Sequence, residues 1–247
     1  GALGYYTKAS GWLPGPITRF MMPIAGVAIS TLSRLVDQPD RFRAYFKQGI
    51  LIIALIGIPA IAFISYDGNQ LVLFLLGDQW FPTVPVFRRL APAALAALAQ
   101  MGFYWAFLSL GHTARQLRWE IFSTSITVAG IAFGVRWGIE GAALGYSIAS
   151  VLLLPPGAWY CFRGTMLRVS DLTNAFLLPV TASLVAMGVL YAAHVNVSFP
   201  AVNVLRLMLD AALFSLVYMT ALLSLPRGRR AVFGVARLLK DLRRARQ

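Results

Sequence analysis

The amino-acid sequence predicts an all-α fold, a polytopic bundle of transmembrane helices. Of its 247 residues, 58% are hydrophobic and only 13% are charged, whereas soluble domains carry about 25% charged residues. The uncharged residues form long runs, and a helix needs about 20 apolar residues to cross the hydrocarbon of a bilayer. No run alternates polar and apolar residues as a barrel strand does. We therefore expect helices, which satisfy their own backbone hydrogen bonds inside a membrane.

Seven segments of this kind are predicted, and together they form a transmembrane lobe over residues 1–225. The first contains two basic residues, Lys8 and Arg19, and the others consist mostly of uncharged residues. Proline lies inside several segments, which indicates either packing kinks or helices that bend during transport. The approximate spans are 5–33, 49–66, 88–110, 119–135, 141–162, 172–194 and 204–225.

Two glycines in the fifth segment predict a close helix contact. Gly141 and Gly145 lie four residues apart, so they share one face of the helix. Small residues at this spacing allow a neighbouring helix to approach closely. We interpret the pair as a packing feature, because the spacing carries little information about function.

Basic residues predict the orientation of the segments. Lys and Arg gather after the first, third, fifth and seventh segments, whereas the loop 67–85 after the second has acids and no Lys or Arg. The positive-inside rule places loops rich in Lys and Arg in the cytoplasm, so the C-terminus is predicted to be cytoplasmic. This orientation explains the net charge of +13, and we expect no nucleic-acid partner.

The last residues, 226–247, have a different pattern from the segments before them. Apolar residues recur there at spacings of three and four, and Arg and Lys lie between them; the apolar residues are Val232, Val235, Leu239 and Leu242. This pattern predicts a basic amphipathic helix on the anionic lipid of the cytoplasmic leaflet. A solvated tail is the alternative interpretation.

The sequence contains no motif typical of catalysis, of a cofactor or of a metal site. The one cysteine, Cys161, lies inside an apolar segment, where a small buried side chain is expected. Neither His112 nor His194 has a metal-ligand partner at a suitable spacing. Asp210 follows Arg206 by four residues, which favours an internal ion pair. We expect no catalytic residue, no cofactor, no metal ion and a protein that is not an enzyme.

Short motifs stand in a fixed order along the first two thirds of the chain: Leu3-Gly-Tyr-Tyr-Thr-Lys-Ala9 with Pro16 and Pro23, Leu32-Ser-Arg-Leu35, Pro39-Asp-Arg-Phe-Arg43, Leu76-Gly-Asp-Gln-Trp80 with Pro85, and Gly138-Ile-Glu-Gly-Ala-Ala-Leu-Gly145. Their order and spacing resemble those of the polysaccharide and oligosaccharide flippases of the multidrug/oligosaccharidyl-lipid/polysaccharide exporter superfamily. The group to which they are most similar comprises capsule and exopolysaccharide exporters related to the colanic acid flippase. From Leu3 to about Arg163 the motifs agree, and beyond that only the hydropathy does.

The resemblance implies both an architecture and a substrate. Members of the family have two pseudosymmetric lobes around a central cavity, and this chain resembles the C-terminal half. The N-terminal lobe of the same protein would then be a missing partner, as expected for a chain that starts without Met, directly in an apolar stretch. The implied activity is the export of an undecaprenyl-diphosphate-linked oligosaccharide across the bacterial inner membrane, with membrane lipids as further partners and no covalent chemistry.

The resemblance also implies residues that would meet the lipid diphosphate. A family motif places a basic residue where Lys8 stands. Arg19 follows Lys8 by 11 residues, about three helical turns, so both can lie on one face and form a cationic strip. The alternative is that Lys8 anchors a helix end and Arg19 extends its charge to the membrane surface.

Two other functions remain open at this stage. One is a membrane-embedded glycosyltransferase or polysaccharide polymerase, which needs acidic or His groups near a membrane face. The acids predicted on the outer side are few, namely Asp67, Asp78 and Glu140. The other is a drug exporter of the same superfamily.

Overall fold

The computed structural model describes residues 25–81, 83–196, 204–225 and 228–229. Within these residues the fold is all-α, and no strand occurs among them. The helices are α1 (residues 25–34), α2 (Pro39–Tyr66), α3 (Gly68–Leu76), α4 (Thr83–Ser109), α5 (Thr113–Gly134), α6 (Gly138–Leu152), α7 (Leu154–Phe162), α8 (Val169–Asn196) and α9 (Val204–Ser224).

Five helical stretches of the described residues are long and apolar enough to cross a membrane, which confirms the predicted polytopic helix bundle. These stretches are Pro39–Tyr66, Thr83–Ser109, Thr113–Phe162, Val169–Val195 and Val204–Ser224. The third is 50 residues long, and it turns back on itself at Gly138, whose φ of 75° favours glycine. Most of the predicted span 5–33 and of the tail 226–247 lies outside the described residues, so the division into seven spans and a tail stays a prediction.

The segment 67–85, predicted as a loop, contains regular structure. It holds the nine-residue helix α3, a 3₁₀ turn at Asp78–Trp80 and the start of α4. The apolar run within α3 accounts for the difference, because Val72 is buried against the bundle while the helix is too short to span a membrane. Gly77 ends α3 with a φ of 85°.

Helices α5 and α6 form a hairpin whose backbones touch. A Cβ added to Gly145 would lie 2.1 Å from the backbone oxygen of Gly130, and one added to Gly134 would lie 2.2 Å from that of Gly141. These distances leave no room for any side chain larger than hydrogen. The close approach predicted from Gly141 and Gly145 is therefore confirmed, and its counterpart is a matching pair of glycines on α5.

Helix α4 lies at the centre of the bundle. Most of its residues are buried, and Trp105, Phe103 and Leu98 belong to the main hydrophobic core. A second, smaller core lies between α8 and α9, where Leu190 packs with Phe214. The outer helices expose large apolar side chains, as expected of surfaces that face lipid; on α5 these are Leu117, Ile121, Phe122, Ile126, Val128 and Phe133.

Helices α2 and α8 run in the same direction and contact each other near both ends. Arg43 binds Asp171 near their first residues, and Tyr66 binds His194 near their last. Both pairs are separated by 128 residues in sequence, so the two helices are in register. Along a helix the two contacts lie about 34 Å apart, close to the roughly 30 Å of a bilayer's hydrocarbon. We call the Arg43–Asp171 end the first pole and the Tyr66–His194 end the second pole.

Candidate functional site

The residues predicted to bind the diphosphate, Lys8 and Arg19, lie outside the described residues, so the cationic strip stays a prediction. Among the described residues, two groups of charged and polar side chains occupy the poles of the α2–α8 pair. They differ in how completely their charges are paired, and this difference identifies the candidate site.

The first pole is held by a buried acid with several donors around it. Asp171 lies in the first turn of α8 and receives two hydrogen bonds from Arg43 of α2, with Nε to Oδ2 at 2.7 Å and Nη2 to Oδ1 at 2.9 Å. The backbone N–H of Arg168 donates to Oδ2 at 3.0 Å, and Lys47 Nζ lies 3.8 Å from Oδ1. The two-point geometry is the strongest that arginine makes with a carboxylate, and it joins α2 to α8.

The second pole contains a chain of polar contacts from three helices. Tyr66 Oη lies 3.1 Å from His194 Nδ1, and His194 Nε2 lies 3.0 Å from Asp210 Oδ1. Asp210 Oδ2 lies 3.6 Å from Arg206 Nε, one turn earlier on α9. The rings of Tyr66 and His194 are stacked, with centroids 5.9 Å apart and an interplanar angle of 17°. The internal ion pair predicted for Arg206 and Asp210 is thus confirmed, and it belongs to a larger network.

This chain of contacts has a consistent hydrogen-bond assignment. A neutral imidazole accepts at one nitrogen and donates at the other. Tyr66 can donate its hydroxyl proton to Nδ1 of His194, whose Nε2–H then donates to the carboxylate of Asp210. Protonation of His194 would make both nitrogens donors, so that Tyr66 would have to accept. The network therefore links the charge of His194 to the orientation of the Tyr66 hydroxyl.

Next to this chain lie two buried side chains, each with one oxygen that has no hydrogen-bond partner among the described residues. Asp67 is 5% exposed and Gln70 is 9% exposed, and Asp67 Oδ2 and Gln70 Oε1 accept no hydrogen bond there. Both line a cavity of about 380 Å³, together with Ser65, Tyr66, Asn69, Arg88, Met187, His194 and Arg206. A polar cavity of this size can hold several water molecules.

The surroundings of Asp67 favour its neutral form. Asp67 directly follows the candidate membrane span Pro39–Tyr66, and burial raises its pKa to about 6. This value includes a raising contribution from the negative charge of Asp210 and lowering contributions from Arg206 and His194. Removal from water is thus the largest cause, because it disfavours the charged form.

The remaining polar groups of the described residues do not form a second site of this kind. Glu140 forms an ion pair with Arg89, and Asp78 is exposed. Cys161 is buried, as predicted, with its Sγ 3.6 Å from the backbone oxygen of Phe103. Within the part of the chain that the structure describes, no three His, Cys, Asp or Glu side chains are placed to hold a metal ion.

The second-pole cluster could not be recognised from local sequence patterns. The sequence offers no metal-ligand partner for His194, and the structure shows that this residue joins α2 to α9. One signal was available: Tyr66, Asp67 and His194 all lie at ends of predicted spans, next to loops assigned to the same side of the membrane. That placement brings them to one pole, but only the packing of α2, α8 and α9 brings them into contact.

Comparison with known proteins relates the chain to polysaccharide biosynthesis. The family model described as "Polysaccharide biosynthesis protein" matches residues 1–85. Over 191 residues the chain is 22% identical to an "Uncharacterized membrane protein in cps region" of Klebsiella pneumoniae, which covers 74% of this chain and 38% of that protein. It is also 19% identical over 153 residues to "Lipopolysaccharide biosynthesis protein WzxC" of Escherichia coli (strain K12), covering 62% of this chain and 31% of that protein.

These matches, the helical bundle and its apolar surface agree with one another. The chain is a multi-pass membrane protein, and its similarity to the polysaccharide biosynthesis family model and to these two relatives agrees with the resemblance seen in the sequence motifs. The aligned region spans about a third of the length of the curated relatives it matches.

Proposed function

We propose that this chain forms one lobe of a flippase that exports an undecaprenyl-diphosphate-linked oligosaccharide during bacterial polysaccharide biosynthesis. The observation that carries the proposal is the family match over residues 1–85, together with relatives named for the cps region and for lipopolysaccharide biosynthesis. The bundle of long apolar helices suits a transporter. A second lobe of the same protein would supply the other half of the central cavity.

The proposed mechanism is alternating access in the inner membrane, without covalent chemistry. The first pole and the C-terminus would face the cytoplasm and the second pole the periplasm, in line with the distribution of Lys and Arg. Proline lies inside α2, α4 and α8, at Pro59, Pro92 and Pro179. Proline removes a helix hydrogen bond, so these helices have positions at which they can bend as the cavity opens on one side and closes on the other.

The diphosphate needs fixed positive charges on its way through an apolar medium. Lys8 and Arg19 fall within the region matched by the family model, and their spacing allows one cationic face. Lysine would act as a point charge and arginine as a two-point donor to phosphate oxygens. We assign the diphosphate to these two residues.

The test is export of polysaccharide by cells that carry variants of the full-length protein. Lys8→Glu combined with Arg19→Glu should lower export by at least about tenfold, because each lost charged hydrogen bond is worth about 1.5–3 kcal/mol. Lipid-linked oligosaccharide should accumulate on the cytoplasmic leaflet. The charge-preserving pair Lys8→Arg and Arg19→Lys should keep most of the activity.

A matched control is Arg41→Glu, because Arg41 is exposed and its guanidinium binds only Gln38 in the described structure. This variant should export normally at equal abundance in the membrane. Normal export by the double Glu variant would refute the cationic strip. If loss of the protein instead left the repeat unit incomplete, or let single units reach the outer surface unpolymerised, a glycosyltransferase or a polymerase would replace the flippase.

A further inference from the structure

The helix α3 begins with a sequence that should cap it, but the structure uses these residues differently. In Asp67-Gly-Asn-Gln70, an acid at the N-cap position precedes a glutamine three residues later, the pattern of a capping box. Asp67 does occupy the N-cap of α3, yet its side chain makes no capping hydrogen bond. Both side chains instead line the cavity at the second pole.

A carboxylate in this position lacks what a buried charge requires. Buried charges are normally paired or fully hydrogen-bonded, and Asp67 is 5% exposed with Oδ2 accepting no hydrogen bond among the described residues. Gln70 Oε1, near the start of the same helix, is a second buried acceptor without a donor. A proton on the Asp67 carboxyl removes the charge and converts one of its oxygens from an acceptor into an O–H donor.

Each helix packed around the cavity contributes titratable or charged groups to the surroundings of this carboxyl. Tyr66 comes from α2, Arg88 from α4, His194 from α8, and Arg206 and Asp210 from α9. Arg88 is exposed and forms no ion pair with Asp67. Asp210 already binds His194 and Arg206, so these two groups are shared with a second, more deeply buried acid.

We propose that Asp67 is a proton-binding residue of the second-pole cavity, and that its carboxyl exchanges one proton with the water there. Burial of the carboxyl, its unused acceptor oxygen and the neighbouring Asp210 all favour the protonated form. The raised pKa of Asp67, about 6, puts this exchange near neutral pH. If the chain is a flippase, a role that rests on the proposed function, the cavity is a point at which protons enter or leave the transporter at its periplasmic face.

The experiment is pH-difference infrared spectroscopy of the purified full chain in liposomes, following the C=O stretch of protonated carboxyl groups. The chain has only nine Asp and Glu residues, so individual contributions can be separated by substitution. The unsubstituted protein should show a component with a midpoint near pH 6, and Asp67→Asn should abolish it. Asp78→Asn, which changes an exposed acid in the turn between α3 and α4, is the matched control and should leave the component unchanged.

Two further variants test how the titration midpoint of Asp67 should change. Asp210→Asn should shift the midpoint downward, because it removes the negative charge that opposes ionisation of Asp67. Asp67→Glu should retain a titrating group at a changed midpoint, even if Asp67→Asn proves difficult to produce. A component near pH 6 that persists unchanged in both Asp67 variants would overturn the assignment.

The same titrations in sodium chloride and in choline chloride, at equal ionic strength, separate a proton from a metal cation. A proton site gives the same midpoint in both salts. A midpoint that falls with sodium would mean that Na⁺ competes for the carboxylate, and it would overturn the proton assignment. Because the measurement needs no transport, its failure would leave the proposed flippase function untouched, and a failed export test would leave the titration in place.

Discussion

Two acids, one at each pole of the α2–α8 pair, are buried to nearly the same extent and have opposite surroundings. Asp171 is 3% exposed and Asp67 is 5% exposed. Asp171 receives hydrogen bonds from Arg43 and from the backbone of Arg168, with Lys47 nearby. Among the described residues, Asp67 forms no ion pair, and one of its carboxylate oxygens has no hydrogen-bond partner.

The comparison shows that burial alone does not decide what a buried acid does. Hydrogen bonds and a two-point ion pair keep Asp171 charged and make it a clamp between two helices. Burial without such partners makes the charged form of Asp67 unfavourable, so that the residue is suited to gaining and losing a proton. One pole is therefore expected to depend on charge for its stability, and the other to be destabilised by charge.

The largest effect should follow from removing the paired acid. Asp171→Ala deletes the acceptor of two arginine hydrogen bonds and one backbone hydrogen bond, and the loss of a buried charged partner typically costs several kcal/mol. We expect the free energy of unfolding to fall by about 3 kcal/mol, since the facing arginine is part-exposed and regains water. Thermal unfolding of the purified protein in detergent measures it.

The control for this change is Asp37→Ala, an exposed acid in the turn between α1 and α2. It should shift the unfolding temperature little, because surface substitutions away from such features usually change stability by about 0.5 kcal/mol or less. Equal shifts in Asp171→Ala and Asp37→Ala would show that the first pole is not a clamp.

The sequence predicts well those features that depend on residues close together in the chain. Uncharged runs predict the helical class, and local spacings predict the glycine contact and the Arg206–Asp210 pair, because these patterns act within a few helical turns. The contacts of Arg43 with Asp171 and of Tyr66 with His194 join residues 128 positions apart. No local rule specifies which helices run side by side or in which register.

At the start of α3, a local sequence rule predicts a capping hydrogen bond that the structure does not contain. Taken alone, Asp67 and Gln70 predict an N-terminal cap. In the folded protein the Asp67 side chain makes no capping hydrogen bond, and both side chains line a cavity instead. The cavity that Asp67 lines is completed by side chains of α8 and α9, more than 100 residues later. The site residues that the sequence does predict, Lys8 and Arg19, are not among those that the structure describes.

The second-largest effect should be a rise in the free energy of unfolding, and it should depend on pH. The pKa of Asp67 is raised from 3.8 to about 6 on folding, so the folded state binds this proton more tightly than the unfolded state. The buried charge therefore destabilises the protein fully above pH 6 and not at all below the unfolded pKa. Asp67→Asn should raise the free energy of unfolding at pH 8 by about 1–2 kcal/mol, at about 1.4 kcal/mol per pKa unit and less the cost of a buried amide.

Unfolding temperatures measured from pH 4 to pH 8 check this sign. The difference between Asp67→Asn and the unsubstituted protein should grow as the pH rises through about 6 and then level off. Asp78→Asn, whose carboxyl is exposed, serves as the control and should show no such trend. A destabilising effect of Asp67→Asn at high pH would mean that the two poles behave alike.

Among the charged groups of the first pole, Lys47 is expected to contribute least to the stability of the protein. Lys47 Nζ lies 3.8 Å from Asp171 Oδ1, and the lysine side chain is 49% exposed. Arg43 already makes both carboxylate hydrogen bonds, so the ammonium adds only a screened attraction. Lys47→Gln should lower the free energy of unfolding by about 0.5 kcal/mol, as for other solvent-exposed pairs, and high salt should remove most of the difference. Unfolding temperatures of Lys47→Gln and Asp171→Ala at low and high salt measure how much stability each variant loses and how much of that loss salt removes. If the two variants lost equal stability at both salt concentrations, the clamp would be a diffuse cluster of charge, and the two-point geometry of Arg43 would not explain why this pole keeps its acid ionised.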